Sequence, residues 1–204
     1  MNDLHRALGD ISSIRRQMAR STEFRGYGPA TLAATGLFAL AAALLQAVFV
    51  RDPAHHIAAY LVIWDTTAVL SATLIGIQTW LRTRRVHSSM ADEMLHMAIE
   101  QFVPSVGAGV LLTISIVRFV PAVSWMLPGL WQVTFSLGVF ASCRFLPRAM
   151  PLAGAWYLLS GLTCITLGDI RALSPWAMGI PYCGGQLLVA AILFLNARKD
   201  SDAH

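Results

Sequence analysis

The chain has 204 residues, of which 56% are hydrophobic and only 13% charged, and its mean hydropathy is +0.59. Water-soluble domains carry about a quarter charged residues, so the composition excludes an ordinary soluble domain. The net charge of +4 comes from arginines placed between apolar runs, a pattern of membrane topology rather than of nucleic-acid binding.

Residues 1–25 read as a cytoplasmic amphipathic segment. Leu4, Leu8, Ile11, Ile14 and Met18 recur at spacings of three and four, with Arg6, Arg15, Arg16 and Arg20 beside them. That spacing predicts a helix, packed on the bundle or lying on anionic headgroups. No cleavable signal peptide is visible, so the first apolar run reads as a retained span.

Residues 26–198 read as a transmembrane domain. Six apolar stretches follow one another at 29–50, 57–81, 102–124, 128–146, 150–169 and 176–196. Each has about 17–25 residues, enough for a hydrocarbon core of about 30 Å. In lipid every backbone polar group needs an internal partner, so the spans must be helices. The predicted fold class is an all-α membrane protein: a bundle of six transmembrane helices with a short amphipathic N-terminal helix. Prolines sit near most boundaries; Pro104 is expected to bend one junction and Pro181 to kink the last span. Residues 82–101 form the longest polar connection, and 199–204 a cytoplasmic tail.

Arginine and lysine counts set the orientation. Arg6, Arg15, Arg16, Arg20, Arg25, Arg82, Arg84, Arg85, Arg144, Arg148, Arg198 and Lys199 fall on one side, against Arg51, Arg118 and Arg171 on the other. Both termini are therefore expected in the cytoplasm, with the chain in a bacterial inner membrane. The stretches FRGYGPATLAATGL, WMLPGLWQ, FASCRFLPR and ALSPWAMG, with DLHRALGDISSIRRQMA near the start, resemble a family of small bacterial integral membrane proteins. The resemblance covers most of the chain. It implies a membrane protein and brings no activity, ligand or catalytic residue with it, because the family is uncharacterised.

A charge inside a bilayer costs about 2.5–3.5 kcal/mol on insertion scales, so each one needs a partner or a purpose. Asp65 lies about 12 Å into the second predicted span and Arg118 about 9 Å from the outer end of the third, at 1.5 Å per residue. The similar depths predict an ion pair, either structural or part of an outward-facing ligand site. Thr66, Thr67, Ser71 and Thr73 follow Asp65. Their hydroxyls either bond their own backbone or line a polar path. Gly184 and Gly185 permit tight packing or a bend. On the inner side, Glu100 and Arg144 form a second candidate ion pair.

No metal site is predicted. Glu93 and His96 have the Glu-x-x-His spacing of di-iron helices, and Glu100 follows one turn later, but only one copy of the motif is present. His55 and His56 are adjacent in a loop, which is a weak metal signal. No cofactor is expected; haem of the b type would usually need histidines inside the spans, and every histidine lies outside them or at an edge. Cys143, Cys164 and Cys183 lie in apolar runs with no metal or disulfide spacing. The motifs HExxH, GxSxG and the P-loop do not occur. The reading favoured on these grounds is a non-enzymatic accessory or sensor protein. Its partners would be the lipid bilayer and a cytoplasmic protein or further copies of itself. The alternative is a small transporter or channel built around Asp65 and Arg118.

Overall fold

The computed structural model describes residues 28–85 and 89–202; the predicted amphipathic segment 1–25 lies outside them. Six helices follow one another: α1 (Pro29–Phe49), α2 (Ile57–Arg85), α3 (Ser89–Phe119), α4 (Leu127–Ser142), α5 (Met150–Thr166) and α6 (Pro175–Asp202). Short 3-10 turns at Pro121–Met126, Cys143–Phe145 and Ile170–Leu173 join the last four. No strand occurs among the described residues.

Prolines begin the helices where the patterning places them. Pro29, Pro128 and Pro151 occupy first-turn positions, where a missing N–H costs nothing because no partner exists for it. Among the described residues, five helical stretches are long and apolar enough to cross a membrane: Pro29–Phe49, Ile57–Leu81, Met97–Phe119, Pro121–Phe145 and Pro175–Arg198. Helix α5, with 17 residues, is about 25 Å long, a little short of a hydrocarbon core of about 30 Å. The chain is thus an all-α, multi-pass membrane bundle.

Among the boundaries that differ from the sequence reading are two outer ends. The third span was expected to reach 124, but α3 stops at Phe119 and Pro121 opens a separate 3-10 turn. The fifth was expected to reach 169, but α5 stops at Thr166, and Gly168 just beyond it has φ of 70°, a conformation that ends helices. Pro181 and Pro104 both lie inside continuous helices.

The helices pack in an order that differs from the chain order. Neighbours in sequence pack together except α2 and α3, and α1 packs most extensively against α6. The resulting row runs α2, α1, α6, α5, α4, α3. Glycines allow the closest approaches: a Cβ on Gly161 would lie 2.8 Å from the Gly129 carbonyl oxygen, and one on Gly129 equally close to that of Gly161. Without side chains, α4 and α5 meet backbone to backbone. Between α1 and α6, Ala39 and Ala43 are buried, and a Cβ on Gly179 would reach 2.6 Å from that of Ala43. The bundle's outside is apolar, with Leu44, Phe49, Val62, Leu111, Phe119 and Leu159 all exposed, while Gln46 and Gln132 are fully buried. That inversion of the soluble pattern suits hydrocarbon as the surrounding solvent.

Candidate functional site in the bundle interior

Buried polar side chains gather in the half of the bundle nearest residues 51–56. Two of them, Gln132 and Gln46, answer backbone groups that the helices leave open. Pro181 has no N–H, so the carbonyl of Ala177 one turn earlier loses its helical partner. The Gln132 amide on α4 donates to that carbonyl at 2.9 Å. The carbonyl of Leu173 stands at the break before α6, and Gln46 on α1 donates to it at 2.7 Å. The Trp64 indole on α2 then donates to the Gln46 oxygen at 2.8 Å. This chain of donors joins α2, α1 and the start of α6.

Aromatic rings surround the network. Tyr60 is fully buried, stacks on Trp131 with ring centroids 6.2 Å apart, and lies 6.4 Å from Trp64. The Trp131 indole donates to Thr113 on α3 at 2.7 Å. Deeper in the bundle, Phe135 contacts Tyr157 and Tyr182 at 4.7 and 5.7 Å. Tyr60 Oη and Gln132 Oε1 have no hydrogen-bond partner among the described residues. At the opposite end, Gln78 on α2 accepts from the Gly28 N–H at 3.3 Å, capping α1, and Ser142 donates to the Ala98 carbonyl at 2.9 Å.

The structure does not bring Asp65 and Arg118 together. Both are exposed, on α2 and α3 at opposite ends of the row. The Tyr60–Trp131 stack and the Trp131–Thr113 hydrogen bond place Tyr60 and Thr113 at one level. From there Asp65 lies five residues toward one membrane face and Arg118 five residues toward the other, a separation of about 15 Å along the axis. The expected match in depth assumed a third span running to 124. With α3 ending at Phe119, Arg118 falls in its last turn, where a cation complements the helix dipole and the guanidinium reaches the headgroups.

Glu100 and Arg144 are likewise both exposed and unpaired with one another; the Arg144 guanidinium lies 4.6 Å from the Phe145 ring centroid instead. The side chains of Glu93 and His96 lie outside the described residues. Among the described residues the ion pairs are His55–Asp52 and Arg171–Asp169, each at 2.8 Å and exposed. Hydrogen bonds from His55 hold the Asp52 carboxyl below the ordinary 3.8; those from Arg171 do the same for Asp169.

Of the hydroxyls after Asp65, Thr67 and Thr73 bond their own helix, donating to the carbonyls of Ile63 and Val69 at 2.7 Å. Gly184 and Gly185 pack tightly against Trp156 and Tyr157. The three cysteines are free thiols, and Cys164 donates to the Ala172 carbonyl at 3.7 Å. Sequence reasoning missed the two glutamines. The available signal was a glutamine inside an otherwise apolar span, together with a proline on another span that frees a carbonyl.

No family model matches the chain, and no match is found among the curated proteins or the solved structures.

Proposed function

We propose that the chain is a non-enzymatic accessory or sensor protein of the bacterial inner membrane, with both termini in the cytoplasm. It acts by contact with lipid and a protein partner rather than by catalysis or conduction. One observation carries this reading: the N–H donors of the buried Gln46, Trp64 and Gln132 side chains are directed to backbone carbonyls and to each other, while the described charged side chains stand off the core. A transport path would need polar groups directed into an accessible interior. Asp65, the strongest candidate for one, faces away from it.

The test joins reconstitution with native purification. The protein in liposomes is expected to give no ion flux, and mild-detergent extraction is expected to recover it with a partner. Flux abolished by Asp65→Asn would overturn the reading in favour of transport. Reporter fusions at the two termini should both report the cytoplasm; opposite sides would refute the orientation.

A further inference from the structure

Helix α5 limits the height of hydrocarbon that can lie against one side of the bundle. Among the described residues the other five spans run 21–25 residues, or about 32–38 Å at helical rise. Helix α5 has 17 residues and covers about 25 Å. Beyond each end the backbone leaves the α-helix. Gly168, exposed and with φ of 70°, follows one end. Arg148 and Ala149, both exposed, precede the other. Such backbone cannot face lipid tails, which offer its N–H and C=O groups no partners.

The side chains mark the same limits. Leu152, Trp156, Leu159 and Leu162 form an exposed, apolar outward face. Thr163 and Thr166, exposed in the last turn, are already polar and donate to carbonyls of their own helix at 2.8 and 2.7 Å. The Asp169–Arg171 ion pair stands just past them. Arg171 cannot stretch toward a more distant headgroup without leaving Asp169, to which its Nε donates at 2.8 Å.

A span too long for its bilayer can lower its height by tilting, but a span too short cannot raise it. Nor is α5 free to slide along its neighbours. Gly161 and Gly129 let it meet α4 backbone to backbone, and the Trp156 indole donates to the Pro181 carbonyl on α6 at 2.9 Å. The adjustment left is in the lipid, whose tails must fit about 25 Å of helix in place of the usual hydrocarbon thickness of about 30 Å.

We infer that the outward face of α5 is a binding surface for phospholipids with short acyl chains, which the bundle gathers there in preference to longer ones. Lipid is the occupant because this face belongs to a membrane span and is apolar between two polar limits. Chain length is the property selected because the distance between those limits is fixed by the helix. The inference deepens the sensor reading above, since it makes bilayer thickness at α5 the property to which the bundle responds. Flux and terminal orientation do not depend on acyl length, so the two readings can fail separately.

The full chain in liposomes provides the test. A fluorescent label is attached to Leu159→Cys or, on α3, to Leu111→Cys; the two positions are exposed alike, at 65% and 66%. Label taken up by the wild-type thiols is subtracted. Brominated dioleoyl phosphatidylcholine quenches the label, and dimyristoleoyl phosphatidylcholine competes for the places beside it. At Leu159 the short-chain lipid is expected to displace the quencher about twofold more effectively than at Leu111. Equal displacement at the two positions, or stronger displacement at Leu111, overturns the inference. Thr163→Leu with Thr166→Leu extends the apolar face by about one turn, and both side chains are exposed and bonded only to their own helix. In this double variant, with helix content unchanged, the preference at Leu159 should fall to that at Leu111. A preference that keeps its full size there overturns the role given to the length of α5.

Discussion

The pairing of Gln132 with Pro181 can be separated from everything else in the core by a double substitution. Gln132→Leu keeps the volume and removes the amide, leaving the Ala177 carbonyl open in a dry interior. An unsatisfied buried carbonyl costs about 1–3 kcal/mol. The lost side chain also carried an oxygen without a partner among the described residues, and its removal offsets part of that cost. The expected net destabilisation is therefore about 1–2 kcal/mol. Pro181→Ala restores an N–H one turn from the same carbonyl, and the ring no longer displaces the helical bond. In the Pro181→Ala background, Gln132→Leu should then cost less by about 1 kcal/mol or more, the coupling expected of residues that serve one acceptor. Reversible unfolding of all four proteins in the same bilayer or detergent, by steric trapping or denaturant, gives the cycle. Effects that add to within about 0.5 kcal/mol would refute the claim that the glutamine is there to answer the proline.

Three further outcomes follow from other contacts. Trp64→Phe removes the donor to Gln46 and should destabilise by about 1 kcal/mol, the usual net worth of one hydrogen bond, in the same unfolding assay. Gly161→Leu forces a side chain against the Gly129 carbonyl and the base of Gln132 and should cost at least about 1–3 kcal/mol; Gly76→Leu, which meets nothing, should leave the melting temperature of the monomer unlowered. The Arg171 hydrogen bonds depress the Asp169 carboxyl below 3.8, so their stabilisation is complete above that pH and fades as pH falls through the folded value. The melting difference between wild type and Asp169→Asn should therefore shrink only on acidification below that point, and a difference that grows there would contradict the assignment.

The spans were legible because hydropathy and length leave a chain in lipid few choices. The prolines at 29, 128 and 151 marked starts that the helices use. The ends were harder to read, because Phe119 and Val120 are as apolar as what precedes them and only Pro121 separates helix from 3-10 turn. That one boundary misplaced Arg118, and with it the expected ion pair. Packing order was not legible at all. Sequence neighbours usually pack together, yet α1 takes α6 as its main partner and α2 stands apart from α3. The small residues that permit this, such as Ala43 with Gly179, identify their partners only once the helices are assembled. The same holds for Gln46 and Gln132, whose acceptors lie 127 and 45 residues away.

The pairing of α1 with α6 bears on how the protein is made. Helices leave the ribosome one at a time, and α1 is the first of those described and α6 the last. The most extensive contact of the bundle must therefore wait until five other spans have entered the membrane. During that interval the Gln46 amide has no Leu173 carbonyl to meet, and the Ala39–Ala43 surface stays open to lipid. A nascent chain halted before Gly179 would therefore leave α1 without its main partner.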